Sequence, residues 1–418
     1  MRTSSHQRPG QVLVLVALCL VVIISFVAIA LEGGLLLDHR RRGQAAADAA
    51  ALAGATDLLY CSAPKSMGLS QCPMETTALA RQTALAFAKA NGYANDGTLT
   101  TVDVNIPPSS GVFANKPGYI EVIVTFRQER GFSAIFGSGA LPVRARAVAR
   151  GYWSTSPGSL VLLVPGQTVK VGGNGQLRVD GPVTVNSSDP QAAITTGGGF
   201  AQASPFNFGG LPGWSGNYQG PKNSGVPPVP DPLAYLPTPT EGEEQSSKKL
   251  TLNNKDPVTI KPGLYEGGIS ITGSGDVIME PGIYYMKGGG FSMTGQGNLI
   301  GSNVMIYNDP AKSSDVINIA GSGSGKVLIT PPSSGIYQGI SIFQERTSTA
   351  TISITGNGKF DIGGTFYAAG AELMLAGNGD TRIGSNFIVS TLTTMGNGVI
   401  NSGPSDNPPP TPVFGLVE

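Results

Sequence analysis

The spacing of apolar residues changes along the chain, and each change predicts a different element. Val12 to Leu31 is a run of twenty residues without a charge, interrupted only by Cys19 and Ser25. A helix rising about 1.5 Å per residue crosses the roughly 30 Å hydrocarbon layer of a bilayer over such a length. The run therefore predicts a transmembrane helix. A cleaved signal peptide is the rival, because Arg2 and Arg8 precede the run and Ala28-Ile29-Ala30 has the form of a cleavage site. Either way the rest of the chain leaves the cytoplasm. Arg40, Arg41 and Arg42 follow the run and oppose the positive-inside bias, but long domains translocate regardless of such charges. The N-terminus is read as inside and the C-terminal region as extracytoplasmic, periplasmic or at the cell surface.

Beyond the run, an Ala-rich stretch to Tyr60 has high helix propensity and should continue the membrane helix outward. Residues 75–90 suit a second helix, ended by Asn91-Gly92. Alternation then predicts strands at Thr101–Ile106, Tyr119–Arg127 and Val143–Ala149. In the last of these Val143, Ala145, Ala147 and Ala149 share one face, and Arg144, Arg146 and Arg150 form a solvated opposite face.

From residue 158 a repeat takes over, of the form h-x-h-x-Gly-x-Gly with h apolar. It occurs seven times, with its first glycine at 173, 273, 295, 321, 356, 377 and, weakened, 396. From Gly273 onward the intervals are 22, 26, 35, 21 and 19 residues. Apolar alternation resumes after many of the glycine pairs, so each unit reads as strand, tight turn, strand. Glycine suits the corner because it accepts positive φ and lets a neighbouring backbone approach closely. Units recurring at this length predict a right-handed parallel β-helix-like solenoid; a sandwich of short antiparallel strands is the alternative. Tyr265, Tyr284 and Tyr337, each in a Gly-x-Tyr segment, are expected to stack as a structural ladder, with a strip for surface glycans as the other use. Between Pro205 and Lys249 nine prolines predict an extended excursion lying over the solenoid or projecting from it. Pro408-Pro409-Pro410 reads as a similar stop.

Composition agrees with a turn-rich exported body: 59 Gly, 31 Pro and only 13% charged residues. Lys plus Arg and Asp plus Glu both total 27, which gives no support to a nucleic-acid partner. Cys61 and Cys72 enclose a short loop, and in an oxidising compartment a disulfide between them is expected, two free thiols being the alternative.

The block Arg8-Pro9-Gly10-Gln11 before the apolar run, and Arg41-Arg42-Gly43-Gln44-Ala45-Ala46-Ala47-Asp48-Ala49-Ala50-Ala51-Leu52-Ala53-Gly54-Ala55 after it, resemble the N-terminal region of TadE/TadG-like proteins of the tight-adherence (Flp) pilus machinery. The resemblance covers roughly residues 8–56 and implies an inner-membrane anchored, pilus-associated protein with its bulk outside. Leu15 stands where pilin-like members carry a Glu, and the Asp-x-Ser-x-Ser site of some TadG-like proteins does not occur in the chain. The expected organisation is a cytoplasmic tip and transmembrane helix over 1–38, a TadE/TadG-like α+β module over 39–157 and first solenoid coils over 158–204. A Pro/Gly-rich excursion over 205–249, the main β-solenoid over 250–404 and a tail over 405–418 follow.

Chemistry is weakly represented. The only histidines, His6 and His39, flank the membrane run, so no histidine triad or histidine-ligated metal can form in the exported body. Asp276, Glu280, Asp309, Asp315, Glu345, Arg346, Asp361, Glu372 and Asp380 are the groups a polysaccharide-cleaving solenoid would draw on, but they read as scattered rather than matched from coil to coil. The segment from Gly321 to Val327 has the look of a phosphate loop without its first Gly or its Ser/Thr, and Gly275-Asp276 and Gly379-Asp380 lack the nine-residue period of calcium-binding repeats. No catalytic residue, cofactor or metal is expected. The function expected is a membrane-anchored structural or accessory component of a Flp-type pilus assembly or adhesion system, its partners the membrane and other pilus-assembly or envelope proteins. A stand-alone surface adhesin or envelope protein is the alternative, and a polysaccharide-acting β-helix enzyme the third reading.

Overall fold

The computed structural model describes residues 9–59, 74–155, 159–321, 325–377, 380–403 and 407–418. The chain is mainly β with parallel sheets and one apolar N-terminal helix, and divides into two compact units. Of the described residues, one unit comprises those of 9–59, 74–153 and 412–418, and the other those of 154–411. Cys61 and Cys72, with the bridge expected between them, lie outside the described residues.

In the first unit α1 (Pro9–Asp57) is a single helix of 49 residues, so the apolar run and the Ala-rich stretch are continuous. Its apolar part is long enough to cross a membrane, with a mean hydropathy of 3.3 and little of its surface buried. The Ala-rich half behaves differently. Ala46, Ala47, Ala50, Ala51 and Ala55 are fully buried against Ala80, Ala84 and Ala88 of α2 (Met74–Ala90) and against a sheet. Small side chains at i, i+3 and i+4 let the two helices approach closely. Gly54 marks the tightest point, since a Cβ there would overlap the Ile120 side chain and sit 3.0 Å from the Ala80 carbonyl oxygen.

That sheet is antiparallel: β1 (Thr100–Asn105) pairs with β2 (Tyr119–Gln128), and β2 with β3 (Leu141–Thr155). Ala145, Ala147 and Ala149 face the helices, as their alternation predicts. The opposite face is not simply solvated. Arg146 donates from Nε to Glu121 at 2.6 Å and contacts Glu418 at 2.9 Å, and Arg150 lies over the Tyr119 and Tyr152 rings. The tail also departs from the expected stop. Pro410–Leu416 is a strand beside β3, and Val148 donates to the Glu418 carbonyl at 2.8 Å. Prolines are tolerated there because an edge strand can leave one side of its backbone unpaired.

The second unit consists of three parallel ladders. One contains the first strand of each repeat: Ile269 pairs with Phe291, then Ile317, Ile352, Leu373 and Leu392 in turn. These steps are the glycine intervals read from the sequence, because the corners lie level. Gly321 pairs with Gly356, Gly356 with Gly377, and Gly377 with Gly396. A second ladder carries the strand after each corner, as where Val277 pairs with Leu299 and Leu299 with Val327. Its residues alternate buried and exposed, as in Val277–Met279 and Lys326–Ile329. The third ladder is buried on both sides, with Val304–Asp309 and Ile340–Gln344 almost wholly enclosed. Described pairings in this unit are parallel, which speaks against the antiparallel sandwich.

The repeats do not follow one another in sequence order. Leu392, in the last repeat, pairs with Val169 in the first, and Val169 continues to Ala193. That ladder goes on from Ala193 to Trp214, and the third ladder extends from Val183–Val185 through Phe206–Phe208 to Lys222–Ser224, so short strands occupy 206–224 in place of the excursion expected over 205–249. Only 225–243 remains as a connection. It leads from that end of the ladders back to Glu244–Ser246, which pairs at the other end with Gly263–Glu266. Proline does not prevent the pairing at 206–224, because those prolines stand between the short strands.

Candidate functional site

The third ladder is enclosed because an aromatic column on its outward side is covered by the connection. Tyr285 pairs with Tyr307, Tyr307 with Phe343, and Phe343 with Tyr367. Successive ring centroids are 4.8, 5.1 and 4.9 Å apart. Leu233 and Leu236 of the connection belong to the same buried cluster.

The connection descends along the column and is held at each level. Asn186 exchanges hydrogen bonds with the backbone of Val229, at 2.8 and 2.9 Å. Below it, Tyr367 donates to Asp231 Oδ2 (2.6 Å) and accepts from Arg346 Nε (2.7 Å). Arg346 Nη2 also donates to the carbonyls of Leu236 (2.5 Å) and Leu233 (3.4 Å), with its guanidinium over the Phe343 and Tyr367 rings. Tyr337 donates to Pro237 O, and Lys287 meets Glu241 at 2.8 Å. The segment is a strap.

Tyr337 therefore leaves the ladder expected of it. Tyr265 and Tyr284 do stack, at 6.0 Å and 13°, but Tyr337 packs near Phe343 because it lies in the turn before Ile340–Gln344 and not in a strand. Burial raises the pKa of Tyr265 to about 12. Burial, reinforced by their carboxylate partners, also raises those of Tyr285, Tyr307 and Tyr367. These hydroxyls stay protonated as donors: Tyr285 to Asp309 (3.0 Å) and Tyr307 to Glu345 (2.8 Å).

Two carboxylates that read as scattered are thus matched between neighbouring repeats. Asn308 pairs with Gln344, which puts Asp309 beside Glu345, with Lys287 opposite Asp309. The unequal intervals between repeats hide this column in the sequence. A detectable signal is an aromatic residue two places before a charge, as in Tyr285/Lys287, Tyr307/Asp309 and Phe343/Glu345. Elsewhere, Asp276 accepts from the backbone and side-chain nitrogens of Asn298, both at 2.9 Å, which lowers its pKa. Glu372 accepts from Thr393 at 2.6 Å. Ser322 to Ser324 and Gly379 fall outside the described residues.

Chemically, the column can hold a strap down. Its rings are closed to an outside ligand, with Tyr307, Phe343 and Tyr367 at 0% exposure. Arg346→Ala should free the strap at a cost of about 2–4 kcal/mol, from lost charge-assisted hydrogen bonds and ring contacts. Limited proteolysis checks this: cleavage within 225–243 is expected in the variant and not in the parent chain, and equal resistance would contradict the clasp.

No curated protein and no solved structure matches the chain. Residues 10–57, which coincide with α1 almost end to end, match the family model described as "Putative Flp pilus-assembly TadE/G-like".

Proposed function

We propose that the chain is a membrane-anchored, extracytoplasmic structural or accessory component of a tight-adherence (Flp) type pilus assembly. The observation that carries this reading is the family match on residues 10–57, which falls on one helix whose first half is apolar and exposed and whose second half is Ala-rich and packed. The first half anchors the chain in the inner membrane as a single-pass helix, and the remainder lies outside the cytoplasm.

The large unit serves as a rigid spacer or binding surface. Its three parallel ladders and level glycine corners support a β-helix, whose hand is right because parallel crossovers are right-handed in about 98% of cases. The chain works by assembly and not by catalysis: Asp309, Glu345 and Asp231 each accept a tyrosine hydroxyl, leaving these carboxylates committed to structure. Deleting the gene and scoring piliation and surface attachment tests the reading. Loss of both, restored by complementation, is expected. Unchanged piliation would overturn it in favour of a stand-alone surface protein.

A further inference from the structure

The exposed face of α1 does not stand alone. Between β2 and β3 the chain makes a short 3-10 turn, Phe132–Phe136, on which Phe132 is 53% and Ile135 85% exposed. Both line an apolar groove of about 380 Å³ together with Ile24, Ala28, Ile29 and Leu36 of α1. Three of these helix residues belong to the uncharged run Val12–Leu31. Among the described residues of that run Ala28 is also the buried one, at 5% exposure, between large side chains more than half exposed.

One charged residue fixes the turn at this level. Glu32 accepts from the backbone nitrogens of Gly131 (3.2 Å) and Ser133 (2.7 Å) and from Ser133 Oγ (2.5 Å). Its carboxylate thereby satisfies donors at the start of the turn. Ile24 lies eight residues before Glu32, about 12 Å along the helix axis. The groove thus reaches well into the stretch that a bilayer would cover. Arg130, just before the turn, ties the loop together by donating from Nε to the Gly139 carbonyl at 2.9 Å.

We propose that Phe132 and Ile135 insert into the lipid bilayer beside α1, giving the chain a second, interfacial contact with acyl chains. This rests on the reading of α1 as a membrane anchor. The occupant of the groove is lipid because the groove is continuous with the exposed apolar face of the helix and its floor is made of residues from the spanning run. Amphipathic segments bury apolar side chains at this headgroup boundary in the same way. The turn fixes the depth and rotation of the helix, which a single smooth helix would leave free.

The test places tryptophan at one site at a time in the full chain, reconstituted in vesicles with or without lipids brominated on their acyl chains. Leu18→Trp reports the anchor, Ile135→Trp the turn, and Val112→Trp, on an exposed loop, serves as control; Trp153 and Trp214 supply the background measured in the parent. Burying one large apolar side chain favours the inserted state by at least about tenfold, so most of the emission added by Ile135→Trp should be quenched. Leu18→Trp should be quenched and Val112→Trp should not. Quenching at Leu18→Trp with none at Ile135→Trp overturns the proposal and leaves the anchor standing. No quenching at either site overturns both. Quenching at Ile135→Trp that appears only when the protein is diluted in lipid shows a second copy covering the groove, and the proposal is then wrong.

Discussion

Gly356→Val is expected to destabilise the parallel unit by about 3–5 kcal/mol, the combined cost of backbone strain and overpacking. Gly356 has φ +119°, where a β-branched residue is strained, and a Cβ there would overlap the carbonyl oxygen of Gly321 on the neighbouring repeat. Gly356 cannot retreat from this overlap, because it is paired on its other side with Gly377. For a unit of this size the loss corresponds to a melting temperature lower by about 10 °C. Gly335→Val separates the two causes: Gly335 also has positive φ, +90°, but nothing lies within 4 Å of its would-be Cβ. Strain alone predicts a loss of about 1–2 kcal/mol there. Thermal unfolding of both variants measures the difference, and equal losses would show that level glycine corners do not carry the close approach between repeats.

The second large effect concerns the first unit and is a pH dependence. The Glu121 side chain is fully buried and accepts from Asn105 Nδ2 (2.8 Å), the Ser109 backbone (3.0 Å) and Oγ (2.6 Å), Ser110 Oγ (2.9 Å) and Arg146 Nε (2.6 Å). Burial alone would raise its pKa, but the hydrogen bonds from Ser109, Asn105 and Arg146 outweigh it and hold the value at about 2, against an ordinary 4.5. A folded pKa below the unfolded one stabilises the fold above the unfolded value, and that contribution disappears as pH falls through 4.5 towards 2. The contribution is about 3 kcal/mol. Glu121→Gln should lose roughly that much at pH 7, since its amide would face donors, and should flatten the dependence between pH 5 and 2. Denaturant unfolding of parent and variant at pH 7 and pH 3 checks both statements; an equal acid sensitivity in the variant would place the titrating group elsewhere.

These sites differ in how openly the sequence displays them. The glycine corners are legible because one requirement, a backbone without a Cβ against its neighbour, recurs at every repeat and leaves the same residue each time. The Ala face of α1 is legible for a similar reason, as small residues on one helical face have one use in packing. The order of repeats is not, because Val169-Lys170-Val171 carries nothing to say whether its partner is Ile269 or Leu392. That choice depends on the whole strap, whose Leu233 and Leu236 find the aromatic column only if the chain turns back along it. The Glu121 node was hidden in another way. Its five donors come from a loop and from the strands on either side, and alternation alone reads the Arg146 face as solvent.

Proteolysis of intact spheroplasts tests the anchored, outward-facing arrangement most directly. An epitope placed after Glu418 should be lost on adding protease outside the cell, while a fragment containing α1 stays in the membrane pellet. An epitope that survives until the membrane is broken, or a chain recovered whole in the soluble fraction, would contradict the account.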